Sequence, residues 1–411
     1  MRITGTDLNF EREPMAAPWG FKGGYLSEIW HSHATLKTDS GGEAVGDGCQ
    51  SVLWCDPRVF TSTSEAGGNT WMLAVTQKAL QLAVGREADN PPALLRAVLP
   101  EAWEYAKQVT GIDVTLTFVL NALASIDFAS WILKARQMGA TSFEDIIPES
   151  VRPAVSHRHK RLLSVPAVGY AMKIPDVVKL ADSGYKVLKI KIGSDPEHDG
   201  DRDKMVDWDC RRLSDLHDAL KAYDVKYYLD ANSRYDRSER MLRTLAHVER
   251  IGALDRVVLL EEPFEEKSQE SVSGLPVLVA ADESAITPED TARRIEQGYG
   301  AIAVKPTAKT LSNTFDIIRT AHERGVGCFI ADLTVHPTLL EWHRALSARL
   351  APLPGMTDGL LETNGWQNYR NWADMNARYP AGSAPWAQPR DGAFVLDDEF
   401  YSESGKALFG Q

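Results

Sequence analysis

"VLKIKIGS", residues 187–194, sets two lysines two positions apart in an aliphatic run. A strand that is apolar on both sides of each lysine belongs in a parallel sheet covered on both faces. There an unpaired ammonium is expensive. Side chains alternate along a strand, so Lys189 and Lys191 share one face while Leu188, Ile190 and Ile192 share the other. The lysine face needs carboxylates.

Outward from this stretch the texture repeats. Short apolar runs alternate with amphipathic helical segments: "SVPAVGYAM", "YKVLKIKIG", "VKYYLDANS", "RVVLLEEPF", "PVLVAADES", "GAIAVKPTA", "VGCFIADLT" and a weaker "DGLLETN". Eight strands with intervening helices are the count for a closed (β/α)₈ barrel of about 250 residues. Before it, "RITGTDLNF", "EIWHSHATLKT" and "GDGCQSVLW" read as three antiparallel strands with a turn at "DSGGEA". Three segments of helical period follow, from "NTWMLAVTQKALQLAV" to "LTFVLNALASIDFASWILKARQ". The expected architecture is an α+β capping domain (1–140), a (β/α)₈ barrel (141–370) and a C-terminal segment (371–411) that packs back on the capping domain.

Charged residues close successive barrel strands: Lys189 and Lys191 on the second, Asp230 on the third, Glu261 on the fourth, Asp282 on the fifth and Lys305 on the sixth. Barrel enzymes place their chemistry at this end. One charged strand end is an ordinary loop residue; five in succession form a pattern. Three carboxylate oxygens with water or substrate completing six-coordination suit Mg²⁺, and no His or Cys joins them to favour zinc. Such an ion holds a substrate carboxylate and offsets the charge that forms when an α-proton leaves. A lysine on each side supplies a base.

Composition narrows the partners. The chain has 411 residues, 44% apolar and 25% charged, with a formal charge of −12. That balance disfavours nucleic acid and anionic membranes and favours a small-molecule substrate. Cys49, Cys55, Cys210 and Cys328 have neither zinc spacing nor disulfide density, which points to a reducing cytoplasm. No signal-peptide pattern opens the chain, and no apolar run reads as the roughly 18 residues of a span.

"KIKIG", "LDANS", "LLEEPF", "AADES" and "AVKPT", in this order, resemble the enolase superfamily in its muconate-lactonizing branch. "KTDSGGEAVGDG" is similar to the hairpin of that family's capping domain, and "VLNALASIDFASWILKARQMG" to the helix before its barrel. The resemblance implies Asp230, Glu261 and Asp282 as Mg²⁺ ligands, Lys191 and Lys305 as acid/base groups on opposite faces of the substrate, and Lys189 on the substrate carboxylate. Asn232 and Glu283 become supporting residues, and the assembly an even-numbered homo-oligomer. Burial, Lys189 and the metal would push the Lys191 pKa down, against the carboxylates.

Two facing lysines favour racemisation or epimerisation, with cycloisomerisation using the same parts. Acid-sugar dehydration, or a syn-elimination like that of the o-succinylbenzoate synthases that "VKPT" resembles, is the alternative. A non-catalytic ligand-binding barrel that kept its metal is the reading from another class. Asp332 and Glu362 are candidate substrate contacts, whereas His336 reads as a helix start. Asn364 accompanies Glu362 where the paired aspartates of dipeptide epimerases would stand. "APWGFKGGY", residues 17–25, reads as an aromatic flap or an ordinary Gly-rich loop. "DPEHDGDRDKMVDWD" reads as a solvated loop and helix start. His31 with His33, and His157 with His159, read as surface residues, no carboxylate or further histidine standing at ligand spacing.

Overall fold

The computed structural model describes residues 1–22 and 24–410. Strands β1 (Ile3–Phe21), β2 (Gly24–Thr38) and β3 (Glu43–Gln50) form an antiparallel sheet in that order. The first two run much further than their apolar cores suggest, so the expected flap is the far end of one long hairpin. Its pairing slips between Pro14 and Trp19, where Pro14 and Pro18 lack the N–H a ladder needs. Gly23, within that flap, lies outside the described residues. β3 stops at Gln50, and Val52–Cys55 is a helical turn rather than strand. Side-chain amides redirect the backbone there: Ser51 N–H donates to Asn121 Oδ1 (3.2 Å) and Val52 N–H to Asn69 Oδ1 (3.3 Å).

The helix Leu116–Met138 is long and apolar enough to cross a membrane, a length the sequence reading did not credit; 94% of its most apolar window is buried inside the fold. It lies flush on β3 because of two glycines. A Cβ at Gly46 would stand 2.2 Å from Ala129 N and Ser125 O, and one at Gly48 3.1 Å from Ser125 Cβ. Ala122, Ser125 and Ala129 keep the helix side equally thin.

The barrel strands are β4 (Arg161–Val165), β5 (Ala167–Val168), β6 (Val187–Lys191), β7 (Lys226–Asp230), β8 (Val257–Glu261), β9 (Val279–Ala281), β10 (Ala301–Val304), β11 (Gly327–Ile330) and β12 (Gly359–Glu362). All pair in parallel from β5 through β12, and β12 pairs with β4. Only Pro166 separates β4 from β5, and its carbonyl accepts Lys189 N–H at 3.0 Å. The two segments are therefore one first strand interrupted by a residue without a donor, and the ring of eight closes through it.

Leu163, Val165, Val187, Tyr228, Leu259, Ala280, Ala301, Ala303, Phe329 and Leu360 pack together inside the barrel. Leu188, Ile190 and Ile192 belong to the separate core shared with the helices and the N-terminal region. The tail divides its contacts. β13 (Ala393–Val395) joins the barrel sheet antiparallel to β4, and the helix Asp398–Phe409 lies against both Pro337–Ser347 and Leu116–Met138. Arg136 Nε donates to Phe409 O at 2.6 Å, a link back to the first domain.

Gly46→Val should lower stability in urea unfolding by about 3 kcal/mol, because helix backbone cannot yield to a side chain. Gly274→Ala, with open space around it, should stay within about 0.5 kcal/mol of the parent.

Candidate active site

One rule of spacing builds the site. Two residues beyond an inward core position, the next inward side chain is charged: Val187 leads to Lys189 and Lys191, Tyr228 to Asp230, Leu259 to Glu261, Ala280 to Asp282, Ala303 to Lys305 and Leu360 to Glu362. All are buried. Strand register sets Lys191 beside Asp230 and Asp230 beside Glu261.

Lys189 is the hub. Its Nζ lies 2.9 Å from Asp230 Oδ2, 2.8 Å from Glu261 Oε2 and 2.9 Å from Glu362 Oε2, with the Tyr228 ring 4.7 Å away. Burial works against its charge, but the three carboxylates hold its pKa well above the ordinary value. Lys191 Nζ donates to Asp230 Oδ2 at 2.5 Å and Asn232 Oδ1 at 2.7 Å. Burial would raise the Asp230 pKa; the two ammoniums keep it well below the carboxylate range. Asn232 also donates to Glu283 Oε1 (3.1 Å). On the far side Lys305 pairs with Asp282 and sits 4.3 Å from the Trp54 ring centroid. Burial opposes the Lys305 charge, but Asp282 and Glu261 raise its pKa. Burial lifts Glu261 to about 7 despite Lys189.

Four participants escaped the sequence reading. Lys309, fully buried one helical turn after Lys305, donates to the carbonyls of Asp282 (2.8 Å), Ala285 (3.1 Å) and Ala303 (2.9 Å) and approaches Asp282 Oδ1 at 3.3 Å. Its i, i+4 spacing from Lys305 was the available signal. Glu262 holds the backbone around Asp282, accepting Asp282 N–H (2.6 Å) and Ser284 N–H (3.2 Å), from a left-handed conformation with φ 37°. Trp54 and Lys22 come from the N-terminal region. Lys22 Nζ donates to Trp54 O (3.1 Å) and pairs with Glu283 at 3.2 Å. No local pattern marks either.

The residues present fit a divalent cation. Oxygens of Glu261, Asp282 and Glu283 lie within 4.8 Å of one another. Glu261 Oε1, Asp282 Oδ1 and Glu283 Oε2 are buried without a hydrogen-bond partner among the described residues. This all-oxygen set is the kind Mg²⁺ takes. It differs from the sequence expectation in one member: Glu283 has an open oxygen, while Asp230 Oδ2 is shared by two lysines and its Oδ1 accepts Asn232 N–H.

Trp19, Phe21, Leu26 and Trp54 from the N-terminal region close over Lys189, Lys191, Lys305, Asp332 and Glu362 around a space of about 40 Å³. Ligand pockets begin at roughly 300 Å³, so this space is narrow beside them. A second cavity of about 260 Å³ lies beside its tip, lined by Phe21, Tyr25, Tyr170, Gly193, Trp208 and Arg234. Glu362 is committed: Oε2 also accepts Asp332 N–H (2.8 Å) and Oε1 faces Asn364 Nδ2 at 3.3 Å. Burial, with Glu362 nearby, raises Asp332 to about 7.

The surface reading of the histidines fails for His31 and His159, each 3% exposed; His159 Nε2 is 2.9 Å from Leu350 O. His336 starts the helix Pro337–Ser347, as its sequence context implied, and lies with His31 around a cavity separate from the lysines.

Residues 175–379 match the family model described as enolase C-terminal domain-like. The chain belongs to the enolase superfamily, in its muconate-lactonizing-enzyme-like branch. The L-Ala-D/L-Glu epimerase of Clostridium acetobutylicum is 29% identical over 161 residues, 38% of this chain and 40% of that protein. The match thus spans about two fifths of that relative. Among solved superfamily structures, a mandelate racemase/muconate lactonizing protein from Herpetosiphon aurantiacus superposes with TM-score 0.66 at 16% identity over 98% of both chains. A dipeptide epimerase from Cytophaga hutchinsonii, complexed with Mg and D-Ala-L-Val, gives TM-score 0.65 at 14% identity, covering 90% of this chain and 89% of that one. At these identities the structural likeness speaks for the fold alone.

Two tests follow from the buried charges. Lys309→Met leaves three carbonyls without a donor and Asp282 with Lys305 as its remaining close ammonium, and should cost about 3 kcal/mol in urea unfolding. Asp209 is buried, accepts Gly193 N–H and Tyr235 O–H at 2.7 Å each, and is raised by burial to about 7. A raised folded pKa means stability that is present below the unfolded value near 3.8 and lost as pH rises through 7. Asp209→Asn should therefore flatten the decline in unfolding free energy between pH 4 and 7.

Proposed function

We propose that this protein is a Mg²⁺-dependent enzyme that removes and redelivers the proton α to a carboxylate, a racemase or epimerase of a small carboxylic acid. The observation that carries this reading is a pair of buried lysines, Lys191 and Lys305, on opposite walls of one narrow space, with orphaned carboxylate oxygens beside them. Glu261, Asp282 and Glu283, with Asp230 once its lysines swing aside, would hold the ion. When bound, it supplies the concentrated positive charge that makes an α-proton next to a carboxylate removable.

The chain's own groups do the rest. Lys189 orients the substrate carboxylate and adds positive charge where negative charge grows. Lys191 Nζ takes or gives the proton on one face, with Asp230 and Asn232 fixing its position. Lys305 Nζ does the same on the other face, held between Asp282 and Trp54. Each sheds a proton to act as a base and returns it to act as an acid. The hairpin excludes water, and the 260 Å³ cavity beside it is placed for the substrate's distal group. Cycloisomerisation would use the same parts. Four unpaired thiols agree with a cytoplasmic setting, and an even-numbered homo-oligomer belongs to the same reading.

In D₂O with Mg²⁺, a panel of N-acylamino acids, dipeptides, hydroxy acids and sugar acids should yield one class that gains deuterium at the α-carbon by mass spectrometry. Lys191→Ala and Lys305→Ala should each lower the racemisation rate at least 10³-fold, on the order of 4 kcal/mol. Loss of water without exchange would instead establish dehydration or another elimination. Exchange that survives both substitutions would end the two-base reading.

A further inference from the structure

The active site leaves one cluster of metal-binding side chains unused. His31 and His33 stand on one face of β2, and His33 is directly opposite Asp47 on β3. His336 arrives from the seventh barrel strand's loop, so the cluster forms only where the N-terminal sheet meets the barrel. With Glu11 and Glu13 they surround a cavity of about 210 Å³.

His33 Nδ1 lies 2.8 Å from Asp47 Oδ1. His336 Nε2 is 4.0 Å from Asp47 Oδ2, in a residue 7% exposed, and has no hydrogen-bond partner among the described residues. A buried imidazole nitrogen facing a carboxylate without a bond to it is a donor atom short of an acceptor. The His31 ring packs 4.6 Å from the His336 ring, and its tautomer can be assigned. Tyr369 O–H donates to Thr334 O at 2.5 Å, so its oxygen accepts from His31 Nε2 at 2.8 Å. That leaves His31 Nδ1 as a lone pair.

We infer that His33, Asp47 and His336, with His31 beside them, form a second cation site, for a late first-row divalent ion of the zinc class. Imidazole nitrogens with one carboxylate are the donor set such ions prefer, whereas Mg²⁺ prefers oxygen. Ligand atoms about 2.0–2.2 Å from one tetrahedral ion lie roughly 3.3 Å apart. The 4.0 Å between Asp47 and His336 therefore closes by well under an ångström, whereas His33 and His336, whose ligand atoms do not yet lie within 4.8 Å of each other and of Asp47 together, must rotate further inward. Burial favours neutral rings at His31 and His336, the form that ligates. At His33 burial is outweighed by the Asp47 hydrogen bond and charge, which raise its pKa, so a cation must displace a proton there. The site would tie β2 and β3 to the barrel around a cavity that neither Lys191 nor Lys305 lines.

The test is a competition titration of the Mg²⁺-saturated full-length protein with ZnCl₂ against a chromophoric chelator. Saturating Mg²⁺ occupies the carboxylate cluster and keeps this site distinct from it. One equivalent of zinc should bind, with affinity lowered at least tenfold by His336→Gln and by Asp47→Asn while far-ultraviolet circular dichroism is unchanged. His33→Gln, at a half-buried position, should weaken binding likewise and guards against misfolding of the buried variants. Absence of zinc binding overturns the inference, as does zinc whose affinity is the same in all three variants. The outcome is independent of turnover, so failure of the racemase reading would leave it standing.

Discussion

Everything in the active site depends on the balance of charge around Lys189. Its ammonium is buried against Asp230, Glu261 and Glu362 at 2.8–2.9 Å, and neither side is tolerable alone in a dry barrel. Removing one partner of such a cluster leaves an uncompensated charge. The same logic extends outward: Lys191 shares Asp230, Lys305 and Lys309 share Asp282, and Lys22 answers Glu283. The network is a device for holding four inward carboxylates together at the mouth of a barrel. The oxygens the lysines leave open, on Glu261, Asp282 and Glu283, are the ones that fit a divalent ion.

The N-terminal region is part of this balance. Trp54 lies beneath both Lys305 and Lys22, at 4.3 and 5.5 Å from its ring centroid, and a quadrupolar ring face stabilises a nearby cation without contributing a proton acceptor. Gly46 and Gly48 let β3 sit directly on the helix Leu116–Met138, and that helix's Asn121 bonds both Cys49 O and Thr307 O. A backbone contact in the first domain is thus coupled to the turn that carries Lys305.

The barrel was legible because its signals are periodic. "VLKIKIGS" and its neighbours alternate inward and outward residues, and the alternation turns Asp230, Glu261, Asp282 and Lys305 toward the barrel interior from sequence alone. What was not legible depends on distance in the chain. Glu262 acts through backbone amides, which no side-chain pattern announces, and Lys309 acts mainly through carbonyls, its i, i+4 spacing from Lys305 being the one signal. Trp54 meets Lys305 across some 250 residues, and His336 meets Asp47 across nearly 290. The hairpin's length has a local cause that carries no periodic signal: the pairing slips between Pro14 and Trp19 and then resumes.

Glu362 bears most directly on which carboxylate fits. A dipeptide brings a free ammonium, and the eighth strand is the natural place to receive it. Here both Glu362 oxygens are engaged, one by Lys189 and Asp332 N–H, the other by Asn364. Accepting a substrate ammonium would strip Lys189 of one of its three anions. The remaining free acceptor nearby, Asn364 Oδ1, is buried without a partner among the described residues and carries no charge. A neutral donor such as an amide N–H or hydroxyl suits that oxygen, because a full positive charge there would face Lys189 with nothing new to offset it. The eighth strand thus presents a neutral acceptor, and its one carboxylate is already spent on Lys189.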